Sequence, residues 1–304
     1  MGCPVVGLNV LSEAEYLKLD YTALEVAGPD AAGYLQGQLS QDVEDIPLGD
    51  CSMSLLLAPT GKITAICWVL REEAEKFVLL VESAAVDEVQ QRLKRYLIRT
   101  KATVEVLDSF ALLGRRIPPE APYLGHFSGG YFGFNEVIYL SKVEPEGMVI
   151  GEREKRLIKA LELQRIKSNF PSYTSELSLG IFPGALGESL EQFVSFQKGC
   201  YVGQELVERM HSRATAAPIS LKVLTIEMGQ NFTIAEVVSS GAPLELYRNG
   251  LIAGEVTSLA EGEPGNGNGI GAIKRSATDS NFFDLVLPGI TDTDHPIGKA
   301  EIVD

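Results

Sequence analysis

The residues 198–210, "KGCYVGQELVERM", set Cys200 beside Gly199 and three residues ahead of Gly203. Leu206, Val207 and Met210 share one helical face, so a helix starts near Gly203 or Gln204. Cys200 then lies just before a helix N-terminus, with Lys198 close by. The dipole and the ammonium both favour a thiolate, which is the nucleophilic and metal-binding form of cysteine. The competing reading is a small buried hydrophobe in a glycine-rich turn. A Cys–His nucleophile pair with His211 is a further arrangement, set against His211 as a surface helix residue. The other chemistry-bearing stretch is "RLKRYLIRTK" (92–101), the densest basic run in the chain. It reads either as a solvated helix face or as a local site for a carboxylate or phosphate.

The remaining residue types narrow the classes. Cys3, Cys51, Cys67 and Cys200 form no CxxC pair, and the three histidines (His126, His211, His295) are scattered. This predicts no resident metal, no iron–sulfur cluster and no disulfide framework. The 304 residues carry a net charge of −15, which disfavours sequence-independent binding to nucleic acid or anionic membrane. No apolar run approaches the ~18 residues of a membrane span. "MGCPVVGLNV" has no basic n-region, so a cytoplasmic protein is expected. Asn231-Phe-Thr fits a glycosylation sequon, which carries no meaning in such a chain.

The elements that must position Cys200 are legible in outline. "ALEVAG" reads as a strand and "GPDAAGYLQGQLSQDV" as a helix start, with Ala31, Tyr34, Leu35 and Gln38/Leu39 on one face. "CSMSLLLA" and "KITAICWVL" are two strands joined by "PTG", and "KFVLLVE" is a third. Ser83 is expected to cap a helix bearing Val86, Val89, Leu93, Tyr96 and Leu97, and "ATVEVLD" closes the layer. That order is close to a ferredoxin-like split βαβ. "FALLGR", "NEVIYLS" and a helix with Leu157, Ile158, Leu161 and Ile166 inward make a second α+β layer. Residues 168–190 read as a long loop. From Pro218, six short strands suggest a small barrel, with an Asn249-Gly250 hairpin turn and "AEGEPGNGNG" as a loose loop. The division predicted is 1–110, 111–216 and 217–304.

"KGCYVGQE" resembles the signature of the YgfZ family of folate-binding proteins, relatives of the glycine-cleavage T-protein. "LEVAGPDAAGYLQGQLSQDV", "LLLAPTGKI", "GEVTS" and "GIGAIKR" resemble further motifs of that family. The resemblance implies an α+β protein of two ferredoxin-like domains and a C-terminal six-stranded β-barrel, ringed around a central channel. It implies a bound tetrahydrofolate or derivative and a role in assembling or repairing iron–sulfur clusters in client proteins, among them tRNA-modifying enzymes. Cys200 would be the reactive residue. Lys198, Gly199, Tyr201, Gly203, Gln204, Glu205 and Arg209 would shape the motif, the two glycines giving the tight turn. Gln36, Gln38, Asp42, Lys94, Arg95 and Arg99 are the folate-contact candidates, the last three on charge alone.

Three departures from the family pattern bear on chemistry. "RIKSNFP" has Ser168 and "RATA" has Ala214 where glycines are usual. In the T-protein the strand after the hairpin turn carries a catalytic aspartate. Here Ala65 and Ile66 stand near its place, and no acid occurs between Gly61 and Leu70. An alkyl group neither moves a proton nor stabilises a cation, so aminomethyl transfer is expected to be lost. The alternatives are a tetrahydrofolate-dependent aminomethyltransferase and a cysteine-based redox or thiol-transfer enzyme.

Overall fold

The first strand, β1 (Tyr16–Leu19), is one that hydrophobic patterning leaves unassigned. It is followed at once by β2 (Tyr21–Ala27), which joins a different sheet. The computed structural model describes residues 11–115, 123–127, 136–212, 217–262, 266–291 and 294–303. These fall into two units: Met1–Leu157 with Ser189–Glu208, and Ile158–Glu188 with Arg209–Asp304.

In the first unit, α1 (Ala31–Gln38), β3 (Cys51–Leu57), β4 (Ile63–Glu73), β5 (Lys76–Glu82), α2 (Val86–Arg95) and β6 (Thr103–Val106) follow β2. The five strands form an antiparallel sheet in the order β3-β4-β5-β2-β6. Its centre is apolar on both faces, with Leu24, Val26, Leu79 and Leu80 fully buried. Ser83 does not cap α2. It opens a short 3-10 turn, and its hydroxyl accepts from Thr22 Oγ1 at 2.9 Å. The preceding strand sets the chain direction there, so no side-chain cap forms.

A second sheet uses β7 (Phe110–Gly114), β8 (Tyr123–Phe127) and β9 (Val137–Ser141) in the order β1-β7-β9-β8. Tyr16 of β1 lies opposite Gly114 and is 1% exposed. A Cβ at Gly114 would come within 2.7 Å of the Tyr16 ring, so the glycine makes room for it. β1 escapes sequence reading because it is only four residues long and runs directly into the turn at Asp20.

In the second unit the sequence-expected barrel closes from six strands in the order β10-β13-β12-β11-β14-β15. They are β10 (Ile219–Met228), β11 (Leu244–Arg248), β12 (Leu251–Glu261), β13 (Asn266–Lys274), β14 (Phe282–Val286) and β15 (Gly298–Ile302). Asn249 and Gly250, at φ 51° and 76°, form the expected hairpin turn. Of the supposed loose loop, residues 260–261 and 266–269 are strand, and 263–265 lie outside the described residues. Cβ atoms at Gly267 and Gly269 would come within 2.7 Å of Ile234 and 3.0 Å of Ile226. These glycines therefore belong to a packed interior and do not mark a loop.

A helix α5 (Ile234–Ser240) between β10 and β11 goes unread, although Thr233 and Glu236 form a capping box that the sequence spells out. α3 (Glu152–Lys167) buries Leu157, Leu161 and Ile166, but Ile158 is 49% exposed, contrary to expectation. One helical step rotates it about 100° away from Leu157.

The segment 168–190 is more ordered than a loop, containing 3-10 turns at Leu177–Leu179 and within Pro183–Gln192. Its anchor is Glu176, fully buried. Glu176 Oε2 accepts from Arg165 Nη1 at 3.2 Å and from the Ser172 N–H at 2.9 Å. Its Oε1 accepts from the hydroxyls of Thr257 at 2.5 Å and Ser258 at 2.7 Å. Arg165 also donates to the Phe170 carbonyl, to Ser258 and to Glu162. The network ties α3, the 170–176 turn and barrel strand β12. Arg165→Met strands a buried carboxylate and should cost about 3–5 kcal/mol. Urea denaturation followed by circular dichroism reads this directly, and a loss under about 1 kcal/mol would show that the network does not hold the unit together.

Candidate functional site

Helix α1 ends at Gln38, leaving carbonyls without helical partners. Lys198 meets them. Its ammonium donates to the carbonyl oxygens of Gln36, Leu39 and Gln41 at 2.6, 2.7 and 2.9 Å. These contacts use all three ammonium hydrogens, and the positive charge sits at the negative end of the helix. Burial pushes the Lys198 pKa down to about 8, with Asp42 and Glu44 pulling it upward. The Tyr201 ring lies 5.1 Å from the ammonium.

Backbone pairing extends the seam. The Ser195 N–H donates to Ser40 O at 3.0 Å, and the Val202 N–H donates to Gly37 O at 3.1 Å. Ser40 Oγ donates to Phe193 O at 2.6 Å and accepts from the Leu55 N–H at 2.9 Å. Gly203, at φ +85°, leaves no room for a side chain, since a Cβ would stand 2.9 Å from Leu57 Cβ. Gly61 in the β3–β4 turn, at φ +79°, meets Leu206 in the same way, at 2.8 Å. The "KGCYVGQE" and "YLQGQLSQD" stretches are thus one packed structure. Gly199, by contrast, has open space around it and no positive φ. The tight turn belongs to Gly203.

The helix α4 (Gln204–Ser212) starts where its spacing predicts. Gln204 Oε1 reaches back to accept from the Tyr201 N–H at 3.2 Å, and Glu205 places an acid in the first turn. Arg209 and His211 are exposed in its last turn. Cys200 is exposed just ahead of this helix. Cys51 is half-buried, and Cys67 is fully buried with its thiol pushed up to about 12 by burial. Cys3 and Ala214 lie outside the described residues. Ser168 is exposed, its N–H donating to Gln164 O at 2.9 Å.

The folate-contact candidates divide. Gln36 Nε2 donates to Asp42 Oδ1 at 2.9 Å, and its Oε1 accepts from the Val43 N–H at 2.8 Å, so this pair closes the loop after α1. Gln38 is buried and accepts from Arg92 Nη1 at 3.2 Å. Lys94 pairs with Glu105 at 3.7 Å on the surface. Arg95 and Arg99 are exposed, Arg99 at φ +66°. The basic run is therefore split, with Arg92 inside and the others solvated. Arg92 was detectable, because it stands three residues after Val89, on the buried stripe of α2. Ala65 and Ile66 are buried in β4.

No protein-family model matches the chain. An uncharacterized protein of Haemophilus influenzae is 27% identical over 246 residues, spanning 78% of this chain and 81% of that one. The "tRNA-modifying protein YgfZ" of Colwellia psychrerythraea is 23% identical over 286 residues, 85% of each chain. Its namesake in Edwardsiella ictaluri is 26% identical over 236 residues, 66% of this chain and 69% of that one. The chain is similar to these YgfZ proteins. Among solved structures, the glycine cleavage system aminomethyltransferase T from Bartonella henselae matches with a TM-score of 0.67. It covers 96% of this chain and 88% of its own at 14% identity, which establishes a shared fold. The chain shares its fold with the aminomethyltransferase, and the stretch from Gly61 to Leu70 is without an acid.

Two outcomes follow from this geometry. Lys198→Met should release the seam, so that the Ser195 and Val202 amides exchange with deuterium at least about tenfold faster. The folded lysine pKa near 8 lies below the unfolded value of about 10.4, so the native state holds this proton less tightly. The wild type should therefore gain stability relative to Lys198→Met as pH rises from 8 towards 10, and the difference should be flat below about 7. An opposite slope would contradict the buried-ammonium account. Separately, iodoacetamide at neutral pH should label Cys200 in the native protein and reach Cys67 only after denaturation, as mass spectrometry of the peptides will show.

Proposed function

We propose that this chain is a folate-binding accessory protein of the YgfZ type. In this reading it supports assembly or repair of iron–sulfur clusters in client enzymes, such as those that modify tRNA. The observation that carries the reading is an exposed Cys200 on a loop held from below by Lys198 and Gly203. A thiol presented this way can meet a client protein while its loop stays folded. The names of the YgfZ relatives support the tRNA-modification context.

A tetrahydrofolate is the implied ligand, and the donors at the end of α1 suit a flat ligand rich in acceptors. The Tyr201 hydroxyl is buried without a partner, and Gln38 has its amide nitrogen uncommitted among the described residues. Gln38 and Tyr201 would hold such a ligand. Gln36 and Asp42 would keep the adjoining loop in shape. Lys94, Arg95 and Arg99 would draw its anionic tail. A bound reduced folate would supply a one-carbon carrier or a redox-active pterin.

The fold match favours one other reading, a tetrahydrofolate-dependent aminomethyltransferase. Ala65 and Ile66 weigh against it, since a buried alkyl pair cannot serve as the acid or base. In a reconstituted glycine-cleavage assay lacking its T-protein, this chain should form no methylene-tetrahydrofolate. Cys200→Ala and Cys200→Ser should both fold, with unchanged circular dichroism and melting. Both should fail to restore iron–sulfur enzyme activity in cells lacking the native protein. Full rescue by either variant would remove Cys200 from the function. Calorimetry with tetrahydrofolate checks the ligand, and no heat at millimolar concentration would remove it.

A further inference from the structure

Arg92 is a buried cation with no carboxylate beside it. The residue is 8% exposed, on the last turn of α2. Nη1 donates to Gln38 Oε1 at 3.2 Å and Nη2 to Leu57 O at 3.3 Å, both neutral acceptors. The Nε–H is buried and finds no acceptor among the described residues. Burying a charge is costly unless an opposite charge or a full set of hydrogen bonds compensates it. Here two of five donors are used, and Arg95 stands close enough to disfavour the Arg92 charge further. What partly compensates is the Tyr96 ring, 4.1 Å from the guanidinium carbon. Tyr96 is itself 38% exposed, a cover with one face to solvent.

The geometry points to Arg92, with Gln38, as a subsite that takes the carboxylate of a small-molecule ligand beneath the Tyr96 ring. Nε–H and the second N–H of a neighbouring Nη form a side-on fork that matches the two oxygens of a carboxylate. The Gln38 amide nitrogen adds a third donor, its oxygen being held by Arg92. Arg95 and Lys94, exposed on the same turn, raise the local concentration of anions in an otherwise acidic chain. The subsite does not require the ligand to be a folate.

The test follows the Arg92 Nε–H resonance in protein carrying 15N-arginine, at constant ionic strength, with glutarate, inorganic phosphate and chloride as probes. Saturable movement with glutarate at millimolar concentration, and little with phosphate or chloride, is expected. Tyr96→Ala should bind glutarate at least as tightly as wild type, and Arg92→Gln at least about tenfold more weakly. No movement with glutarate in wild type and in Tyr96→Ala overturns the proposal, and that readout stands even if Arg92→Gln fails to fold. An equal response to phosphate overturns the carboxylate assignment. A reduced pterin lacking a carboxylate tail separates this proposal from the folate reading. If that pterin binds while glutarate does not, the folate reading stands and the subsite falls. If glutarate binds while neither pterin nor tetrahydrofolate does, the subsite stands alone.

Discussion

One ammonium group seated on three carbonyl oxygens fixes the site. Without Lys198, the end of α1 would present bare acceptors, and the cysteine loop would be left with the Ser195 and Val202 amide hydrogen bonds and the one from the Ser40 hydroxyl to Phe193. With it, residues 36–41 and 193–203 become one surface. The cost is visible in the lysine itself, whose proton is held less tightly than in water because the group is buried. Gly203 and Gly61 complete the fit by removing side chains where the two stretches come closest.

The same device recurs nearby. Arg92 donates to the Leu57 carbonyl, and Arg71 donates to the carbonyls of Glu44 and Ile46 at 2.8 and 3.0 Å. Three cations thus act on the main chain between residues 36 and 57 and leave the carboxylates of an acidic protein alone. Hydrogen bonds from charged donors are stronger than neutral ones. They also leave positive charge at one place in a chain of net charge −15.

The second unit solves a similar problem with the signs reversed. A buried acid, Glu176, organises backbone and hydroxyl donors around it, and Arg165 neutralises it. Arg165 lies in "RIKSNFP" and Thr257 and Ser258 lie in "GEVTS", so two stretches that look independent in sequence are partners across this carboxylate. Both oxygens of the buried Glu176 carboxylate are paired, which is the condition for keeping such a charge inside.

The sequence by itself determined the class of each layer, the six barrel strands, the Asn249-Gly250 turn and the start of α4. All of these rest on local physics: periodic apolar residues, φ > 0 at a turn, and a helix beginning where its stripe begins. Tertiary structure alone decided what needs a partner distant in the chain. It made Lys198 a clamp, turned Arg92 inward while Lys94, Arg95 and Arg99 stayed in solvent, and drew Gly267 into a strand. It also placed β1 in a sheet with β7 and left Ile158 outside. A side chain's type limits its bonds, but which bonds it makes depends on groups a hundred or more residues away, as Lys198 and Gln36 are. No local pattern encodes that meeting.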